Sequence, residues 1–194
     1  MDYLYLAAVD IARRAHEGQL RKYTGEPYLV HPFAVAGLVA SVSADDDMIV
    51  AAILHDVVED SAISLHTING VFGQRIALLV EDLTDVSRPS DGNRAARRAI
   101  DRAHTASACA EAKTIKLADL IDNTKSIVAF DPEFAKVYMA EKRLLLEVLR
   151  DGDPVLFALA DKLVQDYFLT HVKAIKRART KAFHQEQARE NDTQ

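Results

Sequence analysis

Four ionisable side chains follow an apolar run in the segment ILHDVVED, residues 53–60. They are His55, Asp56, Glu59 and Asp60. An imidazole and several carboxylates can bind a divalent cation or transfer protons. At about 100° per residue, a helix would place these four side chains on one polar arc, opposite a set of apolar side chains. The arc therefore has two interpretations: the solvated face of an amphipathic helix, or one wall of a polar site.

Two residues elsewhere in the chain could complete such a site. His31 stands before Pro32, where a loop passes into a predicted helix, and Asp119 lies on another predicted helix. With His55 and Asp56 they provide two imidazoles and two carboxylates, a donor set that suits Mn, Fe, Mg or Zn. Four protein ligands leave positions on a six-coordinate ion for water and substrate, as catalysis requires. Each residue alone has an ordinary structural explanation, so the metal-site hypothesis depends on the complete set.

The elements that must position these residues are helices. Apolar residues recur at helical spacing in almost every segment, and alternation with period two is nearly absent. The pattern predicts helices over 2–16, from about 31, from 45–47 through the ILHDVVED segment, and over 64–70, 73–84 and 111–128. Asp131-Pro132 and Asp153-Pro154 each combine a capping residue with a first-turn proline and predict two further helices. The expected fold is all-α, a single helical bundle of about eight to ten helices formed by residues 1–180. A polar tail over 181–194 is expected to be disordered.

Composition and charge limit the possible partners. The chain has 194 residues, a formal net charge of −5 and a single cysteine, Cys109. A net negative charge argues against a nucleic-acid polymer or an anionic membrane as partner, although it is compatible with a local basic pocket. One cysteine excludes an intramolecular disulfide and a thiolate metal cage. With no secretory signal and no apolar run long enough to span a bilayer, we expect a soluble cytoplasmic protein. A homodimer remains open.

Four longer segments carry a resemblance to a known family. They are HEGQLRKYTGEPYLVHP (16–32), AAILHDVVED (51–60), FGQRIALLVEDLTDV (72–86) and IKLADLIDN (115–123). Their order and spacing resemble the hydrolase domain of Rel/Spo stringent-response enzymes, which belong to the all-α HD phosphohydrolase superfamily. Because the chain has no room for synthetase or regulatory domains, it looks like a stand-alone small alarmone hydrolase of the Mesh type. The resemblance extends over roughly residues 3–150.

The resemblance implies a role for each matching residue. It implies a metal site, usually occupied by Mn(II) in this family, whose ligands are His31, His55, Asp56 and Asp119. The carboxylates that would position and deprotonate the attacking water are Glu59 and Asp60. The residues that would contact the nucleotide are Arg21, Lys22, Asn123 and, as a weaker match, Ser126. The implied activity is removal of the 3′-pyrophosphate from ppGpp or pppGpp.

Three departures from the family pattern leave the substrate open. Leu120 stands where the family usually has a basic residue, and Asp122 stands where an aromatic residue or histidine is common. One extra residue separates RK from GEPY. A lost positive charge could favour (p)ppApp, or NADPH with removal of its 2′-phosphate. An inactive alarmone-binding module is the remaining alternative. A basic helix with Arg94, Arg97, Arg98 and Arg102 is interpreted as an exposed face.

Overall fold

A computed structural model describes residues 2–171, and these residues are helical with connecting turns. The helices are α1 (Asp2–Ala15), α2 (Val30–Ala40), α3 (Asp46–Leu54), α4 (Val57–Asp60), α5 (Leu65–Phe72), α6 (Gln74–Leu83), α7 (Arg94–Ser107), α8 (Ala110–Phe130) and α9 (Pro132–Leu146). A further helix, α10, covers 154–171. The predicted all-α class is confirmed. The predicted tail, 181–194, lies outside the described residues.

Side-chain caps begin several helices where the sequence predicts them. Asp131 Oδ1 accepts a hydrogen bond from the backbone N–H of Phe134 at the start of α9. Asp153 Oδ1 accepts from two backbone N–H groups at the start of α10. Each cap satisfies backbone donors that have no partner within the first turn of a helix. These polar residues therefore fix where the C-terminal helices start.

The core is built around α3, whose second half is buried on all sides. Val50, Ala51, Ala52 and Leu54 have no exposed surface. This helix packs against α1, α2, α6 and α8, and α2 also packs against α8. Burying one apolar side chain of this size stabilises the fold by roughly 1.5–3 kcal/mol. The rigid centre therefore presents the end of α3 to the neighbouring ends and faces of α2 and α8.

The predicted helix through ILHDVVED is interrupted at the two residues of greatest chemical interest. α3 ends at Leu54, α4 begins at Val57, and His55 and Asp56 form the turn between them. His55 Nδ1 lies 2.8 Å from the carbonyl oxygen of Ala52, one turn back. The prediction of one continuous helix was wrong here, because hydrophobic spacing does not report a local break that keeps the same polar face. No helix within 2–171 is long and apolar enough to cross a membrane.

Candidate metal centre and its cavity

Two buried histidines point their Nε2 atoms at the same place. His31, in the first turn of α2, and His55, at the end of α3, each have side chains only 1% exposed. Their ring centroids are 5.1 Å apart in an edge-on arrangement. The ligand atoms of His31, His55 and Asp56 lie within 4.8 Å of one another. This spacing allows one ion to contact all three groups.

The hydrogen bonds of the two rings leave the converging nitrogens free. His31 Nδ1 lies 2.8 Å from Asp122 Oδ2, and His55 Nδ1 lies 2.8 Å from the Ala52 carbonyl oxygen. Both acceptors select the tautomer with the proton on Nδ1, which leaves a lone pair on Nε2. Both Nε2 atoms are buried without a hydrogen-bond partner. A buried nitrogen lone pair without a partner is costly, so this arrangement fits a bound cation.

Asp119 on α8 is the fourth member of the predicted set, and the structure brings it next to the histidines. Its Oδ1 lies 3.3 Å from His31 Nε2 and 4.0 Å from His55 Nε2. The same oxygen accepts a 2.6 Å hydrogen bond from Asn123 Nδ2. Asp56 Oδ2 lies 3.0 Å from His55 Nε2 and accepts a 2.6 Å hydrogen bond from the Tyr28 hydroxyl. All four residues could therefore contribute to one nitrogen- and oxygen-donor metal site.

The histidines and carboxylates of the centre shift one another's pKa values. Burial raises the pKa of Asp56, but the His55 imidazole outweighs it and the net shift is downward. The pKa of Asp119 is likewise lowered, because His31 and Lys116 outweigh the effect of burial. Burial lowers the pKa of His31, yet the neighbouring Asp119 and Asp122 carboxylates raise it to about 9. A proton on the imidazoles balances the carboxylates here, and a divalent cation could take its place.

The Glu59-Asp60 pair is split between two environments. Glu59 and Asp56 line the same cavity, and Glu59 Oε1 accepts a 2.6 Å hydrogen bond from the backbone N–H of Asp85. Burial raises the pKa of the Glu59 carboxyl to about 7, against the opposing effect of Lys116. Asp60 instead accepts a 3.0 Å hydrogen bond from Gln19 Nε2. Glu59 is therefore the carboxylate with direct access to the cavity.

Two of the proposed ligands, Asp56 and Asp119, line a cavity of about 350 Å³ with a strongly basic wall. Its cationic side chains come from α7, α8 and α9: Arg94, Arg98, Arg102, Lys116 and Lys142. The interpretation of α7 as an exposed basic face was wrong for Arg98 and Arg102, which are half-buried and line this cavity. The buried residues of α7 are Asp101 and Thr105 and not an apolar stripe. That polar contact face indicates a helix beside a polar site.

Three of these five cations have carboxylate partners, whereas Arg102 and Lys142 form no ion pair within residues 2–171. Arg94 Nε lies 2.7 Å from Glu141 Oε1, and Arg98 pairs with Asp85. Lys142 Nζ lies 4.8 Å from the centroid of the Tyr138 ring, and no carboxylate within residues 2–171 lies closer than 4.0 Å to it. Burial and neighbouring cations lower the pKa of Lys142 to about 8. The cavity therefore holds a cation available to an anionic ligand.

The predicted nucleotide-contacting residues occupy different surroundings. Asn123 lines the cavity with the basic wall, whereas Arg21 and Ser126 line a smaller cavity of about 250 Å³ together with Asp122. Arg21 Nη1 lies 2.7 Å from Asp122 Oδ2. Lys22 is exposed, with its Nζ 3.5 Å from Asp131 Oδ2. The roles of all four residues at a nucleotide stay predictions.

Leu120 occupies the position where the family pattern usually has a basic residue. Its side chain has no exposed surface and belongs to the core. Five basic side chains line the cavity without any contribution from this position. The departure at Leu120 thus leaves the cavity basic.

Comparisons with known proteins agree with this architecture. The sequence profile of the HD domain family matches residues 8–142. The chain is 39% identical over 118 residues to a probable guanosine-3′,5′-bis(diphosphate) 3′-pyrophosphohydrolase of Synechocystis, covering 59% of this chain and 16% of the relative. It is 34% identical over 129 residues to the Aquifex aeolicus enzyme named guanosine-3′,5′-bis(diphosphate) 3′-pyrophosphohydrolase, covering 66% and 18%. The chain spans less than a fifth of the length of these two relatives.

Solved structures show the same fold. A metazoan ortholog of SpoT, described as hydrolysing ppGpp and acting in starvation responses, superposes with a TM-score of 0.77 at 25% identity. That match covers 84% of this chain and 95% of the other. The protein lmo0812 of Listeria monocytogenes matches with a TM-score of 0.59 at 25% identity, covering 73% and 98%. This chain belongs to the HD domain family.

Proposed function

We propose that the chain is a metal-dependent hydrolase that removes the 3′-pyrophosphate from ppGpp or pppGpp. The observation that carries the proposal is the pair of partnerless Nε2 atoms of His31 and His55, facing Asp56 and Asp119 beside a basic cavity. Relatives named for this activity and a similar structure described as hydrolysing ppGpp support the choice of substrate. The products would be pyrophosphate and GDP or GTP.

The four convergent residues would hold the metal, and Mn(II) is the ion we propose. Such an ion supplies Lewis acidity, which makes a water molecule more acidic and offsets charge that develops on phosphate oxygens. His31 and His55 would present Nε2, because their Nδ1 protons are directed to Asp122 and to the Ala52 carbonyl. Tyr28 would orient Asp56 through its hydroxyl group.

Glu59 would accept the proton of the attacking water. A general base works best when its pKa lies near the working pH, and the pKa of Glu59 is raised to about 7. The backbone N–H of Asp85 fixes one carboxylate oxygen and leaves the other available. Asp60, held by Gln19, would contribute by orienting the α4 turn and the water around it.

The basic wall would bind the phosphates of the substrate. A nucleotide with diphosphates at both 5′ and 3′ positions carries several negative charges, and Arg and Lys bind phosphates by charge-assisted hydrogen bonds. Lys142 and Arg102 are well placed for this because both line the cavity. Asn123, which also lines the cavity, would contact the sugar and phosphate region. Arg21, Lys22 and Ser126 would act from the adjoining loop and helix.

A product assay across nucleotides tests the proposal. Purified protein is incubated with Mn(II) and ppGpp, pppGpp, ppApp or NADPH, and nucleotide products and released phosphate or pyrophosphate are separated. We expect GDP and pyrophosphate from ppGpp, with loss of activity in Asp119→Ala. A preference for ppApp or NADPH would show that the proposed substrate is wrong and that the proposed metal-dependent hydrolysis is right. Tight ppGpp binding without any product would identify an inactive alarmone-binding module instead.

A further inference from the structure

Asp122 joins the metal centre to the loop that carries Arg21. A single oxygen, Asp122 Oδ2, lies 2.8 Å from His31 Nδ1 and 2.7 Å from Arg21 Nη1. The Asp122 side chain is 15% exposed and that of Arg21 is 11% exposed, so water competes weakly for these contacts. The same guanidinium is also 3.4 Å from Asn123 Oδ1 and 3.4 Å from Ser126 Oγ. The Asp122 carboxylate therefore contacts both a proposed metal ligand, His31, and a proposed nucleotide-binding residue, Arg21.

The two histidines differ in what holds them. His55 Nδ1 faces a backbone carbonyl, which no side-chain substitution removes. His31 Nδ1 faces only the Asp122 carboxylate, three residues along α8 from Asp119. Three residues along a helix is close to one turn, so Asp119 and Asp122 approach the same ring from two sides. The orientation of His31 is therefore controlled by a side chain on the helix that carries another proposed ligand.

We propose that Asp122 is a positioning residue that fixes His31 for metal binding and Arg21 for nucleotide binding. A hydrogen bond from the far nitrogen of a ligand histidine to a carboxylate sets the tautomer and raises the basicity of the ligating nitrogen. The same negative charge keeps a buried guanidinium in place. This inference rests on the proposed metal-dependent function. It gives a function to Asp122, which stands where the family pattern often has an aromatic residue or histidine.

Metal binding in the absence of nucleotide tests the first half. Mn(II) dissociation constants are measured by calorimetry and by the loss of the free-ion EPR signal. We expect Asp122→Ala to weaken Mn(II) binding by about 10- to 100-fold. Asp122→Asn keeps an acceptor oxygen but loses the charge, so we expect a smaller loss of about three- to tenfold. Asp122→Asn also preserves side-chain volume, so it tests the proposal even where the alanine variant does not fold.

A matched control is Asp131→Asn. Asp131 also lies next to the Arg21 loop, where it accepts a 2.9 Å hydrogen bond from the Tyr23 hydroxyl, but it has no contact with His31. Its substitution is expected to leave Mn(II) affinity within twofold of the parent protein. Mn(II) affinities of Asp122→Ala and Asp122→Asn equally close to the parent would overturn the metal half of the proposal.

Nucleotide binding tests the second half. With metal removed by chelation, so that no turnover occurs, Asp122→Asn and Arg21→Met are each expected to weaken ppGpp binding by about tenfold or less. Arg21→Met is expected to weaken Mn(II) binding less than Asp122→Asn does, because Arg21 contacts Asp122 and Asn123 and none of the proposed metal ligands directly. Unchanged nucleotide affinity in Asp122→Asn would overturn the Arg21 half. Mn(II) affinity is measured without substrate. A protein that hydrolyses no alarmone would therefore refute the proposed function, while the Mn(II) affinities would still decide whether Asp122 positions His31.

Discussion

Replacing Glu59 by glutamine should remove the base that activates water and the pH dependence that comes with it. The pKa of Glu59 is raised to about 7 from the usual 4.5, because partial desolvation at the cavity wall outweighs the attraction of Lys116. With a pKa near 7, the ionised fraction rises about tenfold between pH 6 and pH 8. We therefore expect kcat/KM of the parent protein to rise over this interval. A bound cation shifts the rise toward lower pH, because it favours the carboxylate.

Steady-state kinetics with ppGpp and saturating Mn(II) from pH 5 to 9 provide the assay. Glu59→Gln is expected to lower kcat by about 10²- to 10⁴-fold. It is also expected to abolish the rise of kcat/KM with pH on the acidic side of the profile. Lys116→Met removes the cation that lowers the pKa of Glu59. In this variant the rise of kcat/KM with pH should therefore occur at higher pH. A Glu59→Gln protein that loses less than tenfold in kcat and keeps the same rise of kcat/KM with pH would refute the assignment of Glu59 as the base.

Three further predictions concern binding and stability. Lys142→Met should raise KM for ppGpp about tenfold while Mn(II) affinity stays unchanged, because Lys142 lines the cavity without a carboxylate partner. The control is Lys136→Met, which changes an exposed lysine on the same helix. Leu120→Ala should lower the free energy of unfolding by about 2–5 kcal/mol in denaturant titrations, because this side chain is fully buried. The raised pKa of Glu59 means that ionising it costs stability as pH rises from 4.5 toward 7. After discounting for its partial exposure, Glu59→Gln should gain about 1 kcal/mol, or about 2–4 °C in Tm, at pH 8 and nothing at pH 4. An unchanged KM, an unchanged unfolding midpoint or an equal Tm difference at both pH values would contradict the respective prediction.

Residue types and spacing predicted the fold class and the grouping of the metal-site residues. His31, His55, Asp56 and Asp119 are brought together as expected, because family motifs link positions that lie far apart in the chain. Helical spacing could not reveal the turn at His55-Asp56. A break of two residues leaves the polar arc intact while changing the backbone path.

The basic wall and the Asp122 contact needed the structure. Arg98 and Arg102 have the composition of a solvated face, and only the packing of α7 against the cavity shows where they point. Asp122 was recognised in the sequence as a departure from the family pattern, yet its partner His31 is ninety-one residues away. Pairing across that distance is set by how α2 packs on α8, which local patterns do not encode.

Hydrolysis of ppGpp as a function of bound Mn(II) tests the central claim most directly. Metal-free protein is titrated with Mn(II), and phosphorus NMR follows the substrate, GDP and pyrophosphate at each step. We predict no product without metal, product that rises until the site is filled, and loss of both binding and turnover in His55→Ala. Metal-independent formation of GDP and pyrophosphate, or no product at a filled site, would contradict it.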